Sequence, residues 1–357
     1  MASLVLDPYQ LAVPAVAEGA DAARRYVDSL VTWSALTDEP WLRVLATDDT
    51  VTALSGAACY PAVNAVAALC EALGLDEVSP EDVANALSRL LQSADSWEDH
   101  CGVTDVLLDP LTLTPDLPTT RCQGAPAGTG RNAPSVHDAT RRVLTLSALL
   151  AHCAPDHSRN RELSTLDRFC AGAGVTVAGS AVIIDRGAGC VLPHLPEPFP
   201  LPATRVWMRE GAGDCLRALD PVHLWVSAGT AEACAAAIRL EVMRQEPTLG
   251  WTETDRLGIG CEFVASLPKH NFDRDEAKVA RLLKACAEVL LDRNLPKTHA
   301  LRVGDGPTAA QRMRGSDKAM RRDIDYEFHL HYWELTGRRF EFGNVVSHKV
   351  FTIPYCT

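Results

Sequence analysis

The sequence predicts an α/β to α+β fold, with a larger acidic N-terminal α/β region and a small C-terminal α+β domain on an antiparallel sheet. Three observations carry this. Short apolar runs alternate with amphipathic helical patterns through the first 110 residues, the order that builds an α/β layer. The last hundred residues end instead in two strand patterns joined by a turn signal. Charge divides along the same line. The 357 residues hold 34 Lys+Arg and 46 Asp+Glu, but from Trp251 onward there are 17 basic and 15 acidic side chains. The excess acid therefore lies in the first 250 residues.

The elements follow in order. "SLVLD" reads as a strand, and a long helix runs from about Ala15 to Leu36. "WLRVLAT" is strand-like, and Asp49 or Thr50 can cap the helix that follows it. "NAVAALCEALG" stops at Gly74; "SPEDVANALSRLLQSA" has Ser79 as N-cap and Pro80 at the first helical position. "GVTDVLLD" closes a β-α-β-α-α-β order over residues 1–110. Residues 111–134, rich in Pro, Thr and Gly, read as a linker, and they contain no GxxxxGK[ST] phosphate loop. Residues 135–250 form a middle mixed region. It has a helix from Ser135 to Cys153, a hairpin or strand pair in "GVTVAGSAVIID", strands in "TRVWMRE" and "HLWVSA", and a helix in "AEACAAAIRLEVMRQ". Residues 251–357 form the C-terminal domain: strand "LGIGCEFVASL", helix "DRDEAKVARLLKACAEVLLDR", a basic loop, then two closing strands.

Composition narrows the function classes. The chain is 47% hydrophobic and 22% charged, with no apolar run long enough for a membrane helix. The start meets Asp7 before any basic leader, so a cytoplasmic protein is expected. None of the 12 cysteines forms a CxxC pair, and no disulfide framework or structural zinc is expected. The nearest metal spacing, His152, Cys153 and His157 in "HCAPDH", is weak, and most thiols read as core filler. No cofactor is called for.

Basic residues concentrate between Arg293 and Arg322, where Arg293, Lys297, Arg302, Arg312, Arg314, Lys318, Arg321 and Arg322 face only Asp305 and Asp317. A local basic segment on an acidic body suits a phosphate-bearing partner. Arg302, Arg312, Arg314, Lys318 and Lys349 are the candidate nucleic-acid contacts, and a solvated arginine-rich loop is the plain alternative.

The closing strands carry the candidate chemistry. Residues two apart in a strand share a face. In "YEFHLHYW" one face is Tyr326, Phe328, Leu330 and Tyr332, facing a core. The other is Glu327, His329, His331 and Trp333, expected on display. A turn at "TGRR" pairing Leu335 with Phe340 sets His331 opposite Asn344, His329 opposite Val346 and Glu327 opposite His348. Glu327, His329, His331 and His348 then share one face, with Arg321 and Arg322 entering the same strand. Such a face also suits a soluble edge strand, a partner interface, or a metal held by the three histidines.

The stretch "RRDIDYEFHLHYWEL…GRRFEFGNVVSHKVF" resembles the closing strands of RelE/YoeB-like toxins, over roughly Leu257 to Tyr355. The resemblance implies a metal-independent endoribonuclease with a toxin or phage-defence role, acting on RNA. Glu327 or His348 would be the base, His329 or His331 the acid, and Arg321, Arg322, Arg312 or Arg314 the phosphate clamp. Members of that family are small single domains, and paired histidines on one strand are not part of their pattern.

Two other classes stand beside this. The C-terminal sheet could be a non-enzymatic adaptor for a protein or nucleic-acid partner in a larger assembly. At the other end, Asp7, Asp48 or Asp49, and Asp105 or Asp109 follow strand patterns, an arrangement that resembles PIN-like nucleases and implies Mg²⁺ held between acids. The commoner role of such residues is to cap the next turn.

Overall fold

In the computed structural model, residues 2–117, 135–158, 161–165, 174–196, 198–304 and 308–355 are described. Contacts divide the chain into two compact units, Ala2–Ala218 and Leu219–Thr357. The boundary at 218/219 differs from the 250/251 expected from composition.

The N-terminal unit contains β1 (Ala2–Leu6), β2 (Leu42–Ala46), β3 (Asp95–Ser96), β4 (Val103–Thr114), β5 (Arg161–Thr165), β6 (Val175–Arg186), β7 (Phe199–Val206) and β8 (Met208–Glu210). Five of these form an all-parallel sheet in the order β3-β2-β1-β5-β8. All five residues of β1 are buried, as expected of a central strand covered on both faces. The helices Ala20–Leu36, Val63–Leu73, Pro80–Ser93 and Val136–Cys153 form where periodicity and caps predict them. Ser79 Oγ accepts from the Asp82 N–H at 3.2 Å, which makes the Pro80 start signal concrete.

The remaining strands form an antiparallel sheet, β4-β6-β7. Its longest pairing joins residues 103–114 to 176–186. Residues 111–114 are thus strand rather than linker, and the supposed linker's 118–134 lie outside the described residues. "GVTVAGSAVIID" is one long strand, not a hairpin. Pro200 and Pro202 lie on β7, an edge strand, where a missing N–H leaves no ladder bond unmade.

The C-terminal unit opens with helices Pro221–Ala228 and Ala231–Gln245. The first corrects the expected strand "HLWVSA". Asp220 caps two backbone N–H groups, Pro221 sits at the first position, and Gly229 ends the helix left-handed. These start and stop signals outweigh the apolar, strand-like content. β9 (Leu257–Ile259) is shorter than expected, because Phe263–Ser266 is helical. After helix Glu276–Leu290 come β10 (Thr298–Ala300), β11 (Met313–Arg314), β12 (Asp317–Asp323), β13 (Phe328–Leu335) and β14 (Arg339–Ser347). The basic segment expected as a loop thus contributes three strands.

The sheet order is β10-β12-β13-β14-β9, with β11 beside β12 and only β9 parallel to its neighbour. One face packs on helices: Phe342 meets Phe263, and Ser266 Oγ accepts from the Val345 N–H at 2.9 Å. The other face is covered by the C-terminal tail, with Leu301, Ala319, Trp333 and Ile353 forming its core. Trp333 Nε1 donates to the Pro354 carbonyl at 3.2 Å. The tail is what makes β13 buried on both sides.

Candidate functional site: a histidine chain at the sheet end

β12 and β13 are separate strands joined by a turn at Ile324–Glu327, so Arg321 and Arg322 do not lie on the strand of the histidines. Asp325 Oδ1 accepts from the N–H groups of Glu327 and Phe328, a side-chain-stabilised turn. The resulting register sets Arg321 opposite His331 and Asp323 opposite His329. On the next pair, β13 and β14, His331 faces Asn344 and His329 faces Val346, as the hairpin reading predicts. Nearer the turn the register is one residue away from that reading: Leu335 pairs with Arg339 and Trp333 with Glu341. A bulge between His331 and Tyr332 absorbs the difference, and Gly343 is skipped in the pairing. A side chain at Gly343 would lie 2.9 Å from Ile353 Cγ1, so the tail requires glycine there.

The expected display of His329, His331 and Trp333 is corrected by the tail: their exposures are 1%, 0% and 0%. Glu327 and His348 remain exposed, and their backbones pair, the His348 N–H donating to the Glu327 carbonyl at 2.8 Å. His331 Nδ1 donates to the Thr352 carbonyl at 3.0 Å. Burial first, then the Arg321 and Arg312 charges among others, hold its pKa down at about 4. It is neutral at pH 7, and its hydrogen bond seats the tail.

His329 differs in having a route to solvent. Its Nδ1 lies 2.9 Å from Asp323 Oδ1, in ion-pair range though not aligned as a hydrogen bond. Its Nε2 lies 2.8 Å from His348 Nδ1. Burial, and next the Arg321 charge, push its pKa down to about 4, against the opposing pull of Asp323. His299 Nε2 and Arg321 Nε also stand near Asp323, at 3.5 and 3.8 Å. A carboxylate, a buried imidazole and an exposed imidazole thus form one line. Asp323 is the member the sequence reading missed. Its signal was the Asp325 turn, which converts one apparent strand into two and brings position 323 back beside 329.

The two adjacent arginines part company. Arg322 is fully buried on the helix side, paired with Glu288 and donating to the carbonyls of Arg293 and Asn294 and to Thr298 Oγ1. It ties the end of helix Glu276–Leu290 to the sheet and does not reach solvent, which corrects its place among the candidate catalytic residues. Arg314 is likewise engaged, bidentate to Glu341 at 2.9 and 2.8 Å and 4.7 Å over the Trp333 ring. Arg302 donates to the Ala309 carbonyl. Arg312 is half-buried, and Lys318 and Lys349 are exposed. Of the basic candidates, Lys318 and Lys349 are exposed, while Arg321 is half-buried beside Asp323.

In the N-terminal unit, Asp7 is buried at the end of β1, accepting from the Tyr9 N–H at 3.1 Å and the Thr140 hydroxyl at 2.7 Å. Asp49 and Asp105 are joined by Arg142, at 3.0 and 2.9 Å, with buried Glu98 3.9 Å from the same guanidinium. Burial raises the Glu98 carboxyl above its ordinary range. The predicted acids do gather around one helix, but a guanidinium and capping donors hold them. This donor arrangement does not fit a magnesium site. Among the described residues, no group of three His, Cys, Asp or Glu could hold a metal ion, the three histidines included.

Most described cysteines are free and buried, but Cys261 is disulfide-bonded, against expectation. Among the described residues no helix is long and apolar enough to cross a membrane. No family model matches the chain, and neither a curated protein nor a solved structure shows significant similarity to it.

Proposed function

We propose that the C-terminal unit is a metal-independent endoribonuclease whose acid–base pair is Glu327 and His348. The observation that carries this is the line Asp323–His329–His348, which ends at an exposed imidazole beside an exposed carboxylate. Strand cleavage by the ribose 2′-hydroxyl needs a base for that hydroxyl, an acid for the departing 5′-oxygen and cations for the phosphorane. Glu327 takes the 2′-hydroxyl proton as the oxygen attacks phosphorus. Protonated His348 gives its proton to the 5′-oxygen as the P–O bond breaks, leaving a 2′,3′-cyclic phosphate and a 5′-hydroxyl. His329 accepts from His348 Nδ1 and Asp323 balances the imidazolium charge, a positioning role. His329 and His331, buried and neutral, are not themselves the acid. Arg321 and Lys349 supply positive charge for the phosphate.

Incubation of RNA with the full chain in EDTA tests this. Cleavage is expected to persist, and Glu327→Gln or His348→Ala to reduce it by about 10²–10⁴-fold, the usual worth of a general acid or base. Asp323→Asn should shift the acidic-to-neutral limb of the pH–rate profile rather than only lower the rate. RNA left intact by the wild-type chain, or cleavage abolished by EDTA, would sink the reading. Tight RNA retention without cleavage would instead identify a binding module.

A further inference from the structure

The N-terminal unit contains a cavity of about 190 Å³ bounded by β5, β7, β8 and the helix Val136–Cys153. Three of its lining residues are arginines, in a chain of net charge -12. Arg161 is half-buried. Its Nη2 meets His100 Nε2 at 2.8 Å and its guanidinium lies 5.0 Å from the Trp97 ring. Its Nε and Nη1 are buried without a hydrogen-bond partner, and no carboxylate pairs with it among the described residues. Burial lowers its pKa, the sign of a charge held without compensation. A buried guanidinium with no counter-ion is costly, and proteins keep such groups where a ligand supplies the charge. Arg142, which bridges three carboxylates in the same unit, shows the ordinary solution.

The other two arginines are positioned from one ring. Arg205 lies 4.5 Å and Arg209 5.8 Å from the centroid of Trp207, itself 48% exposed. Glu162 pairs with Arg209 at 3.2 Å, so that guanidinium is neutralised. Arg205 has no carboxylate partner among the described residues. Two positive charges, Arg161 and Arg205, are therefore left over in a site walled by apolar Val5 and Leu150. The match is a dianion with oxygens for planar donor forks.

We propose that this cavity binds a phosphate monoester, which carries about −1.5 to −2 charges near pH 7 and three acceptor oxygens. Arg161 holds it from within and Arg205 from the rim, with Trp207 ordering the rim before the ligand arrives. The volume admits the phosphoryl group and little beyond it, below the roughly 300 Å³ at which drug-sized sites begin. The rest of the ligand stays outside. It can be a small sugar phosphate or the 5′-phosphorylated end of a strand.

Calorimetric titration of the full chain decides this. Ribose 5-phosphate and a 5′-phosphorylated trinucleotide are compared with ribose, the 5′-hydroxyl trinucleotide and malonate. Phosphorylated compounds are expected to bind and their unphosphorylated counterparts not to; whichever phosphorylated compound binds tighter identifies the source. Arg161→Met and Arg205→Ala should each weaken binding by about tenfold or more, the worth of one charge-assisted bond. Arg161→Met should also melt no lower than wild type without ligand, since it removes an uncompensated buried charge. Arg205 is exposed, so its variant keeps the fold and the test stands even if Arg161→Met does not fold. Equal binding of the unphosphorylated compounds or malonate overturns the proposal, as does unchanged affinity in Arg205→Ala or no binding at all.

Discussion

The two faces of the C-terminal sheet solve the problem of buried polarity in opposite ways. On the helix face, Arg322 is enclosed and given a carboxylate, two carbonyls and a hydroxyl, with its Nε left without a hydrogen bond. On the tail face, Arg312 Nε, Arg321 Nε, Asp323 Oδ1, His329 Nδ1, His331 Nε2 and Asn344 Oδ1 are buried without a hydrogen bond. A largely satisfied network fixes structure; one with several open atoms is where a protein leaves room for a proton or a ligand. Adjacent residues, 321 and 322, belong to different kinds of site because strand geometry turns them to opposite faces.

The contrast is broken most severely at Glu288. Replacing it with Ala leaves Arg322 charged and buried, a loss of about 3–5 kcal/mol expected in denaturant unfolding. A loss under about 1 kcal/mol would mean that the carbonyls alone suffice. Asp323→Asn should cost less, because its partners are already imperfectly bonded.

Acid separates the faces next. His329 and His331 titrate near 4 when folded, against an ordinary value of 6.5. Between those values the unfolded chain binds protons that the folded one refuses. Stability is therefore full above pH 6.5 and falls as pH drops towards 4, with a slope of up to about 1.4 kcal/mol per pH unit for each group. Unfolding free energies measured across this window should flatten in His331→Asn. A wild-type curve already flat there would contradict the burial of these imidazoles.

The smallest effects belong to the exposed lysines. Lys318→Ala and Lys349→Ala should change stability by no more than about 0.5 kcal/mol. If they touch RNA phosphates, each should reduce the salt dependence of RNA binding by about one counterion. Unchanged salt slopes would remove them from the interface.

Much of the fold was legible where signals are local. Ser79 with Pro80, Gly74 and the apolar run of β1 report themselves through caps and period. The helix at Pro221–Ala228 was legible too, in Asp220, Pro221 and Gly229, although its apolar content is strand-like. In the candidate site, the pairing of His331 with Asn344 and of His329 with Val346 was readable, yet the bulge that makes it compatible with the turn was not. The glycine skipped at that bulge is held small by Ile353, ten residues beyond Gly343 and on another segment.

By itself, the sequence determined the periodicities, the caps and the two-residue alternation that groups His329 with His331. These depend on neighbours within a turn or a strand, where covalent geometry sets the answer. Only the tertiary structure decided that both histidines are buried and that His329 contacts the exposed His348. The tail seals His331 and Trp333, the turn at Asp325 delivers Asp323 to His329, and the helix side captures Arg322. Each of these outcomes rests on a contact between segments distant in the chain. The energy of such a contact depends on what else is buried beside it, and no local pattern encodes that.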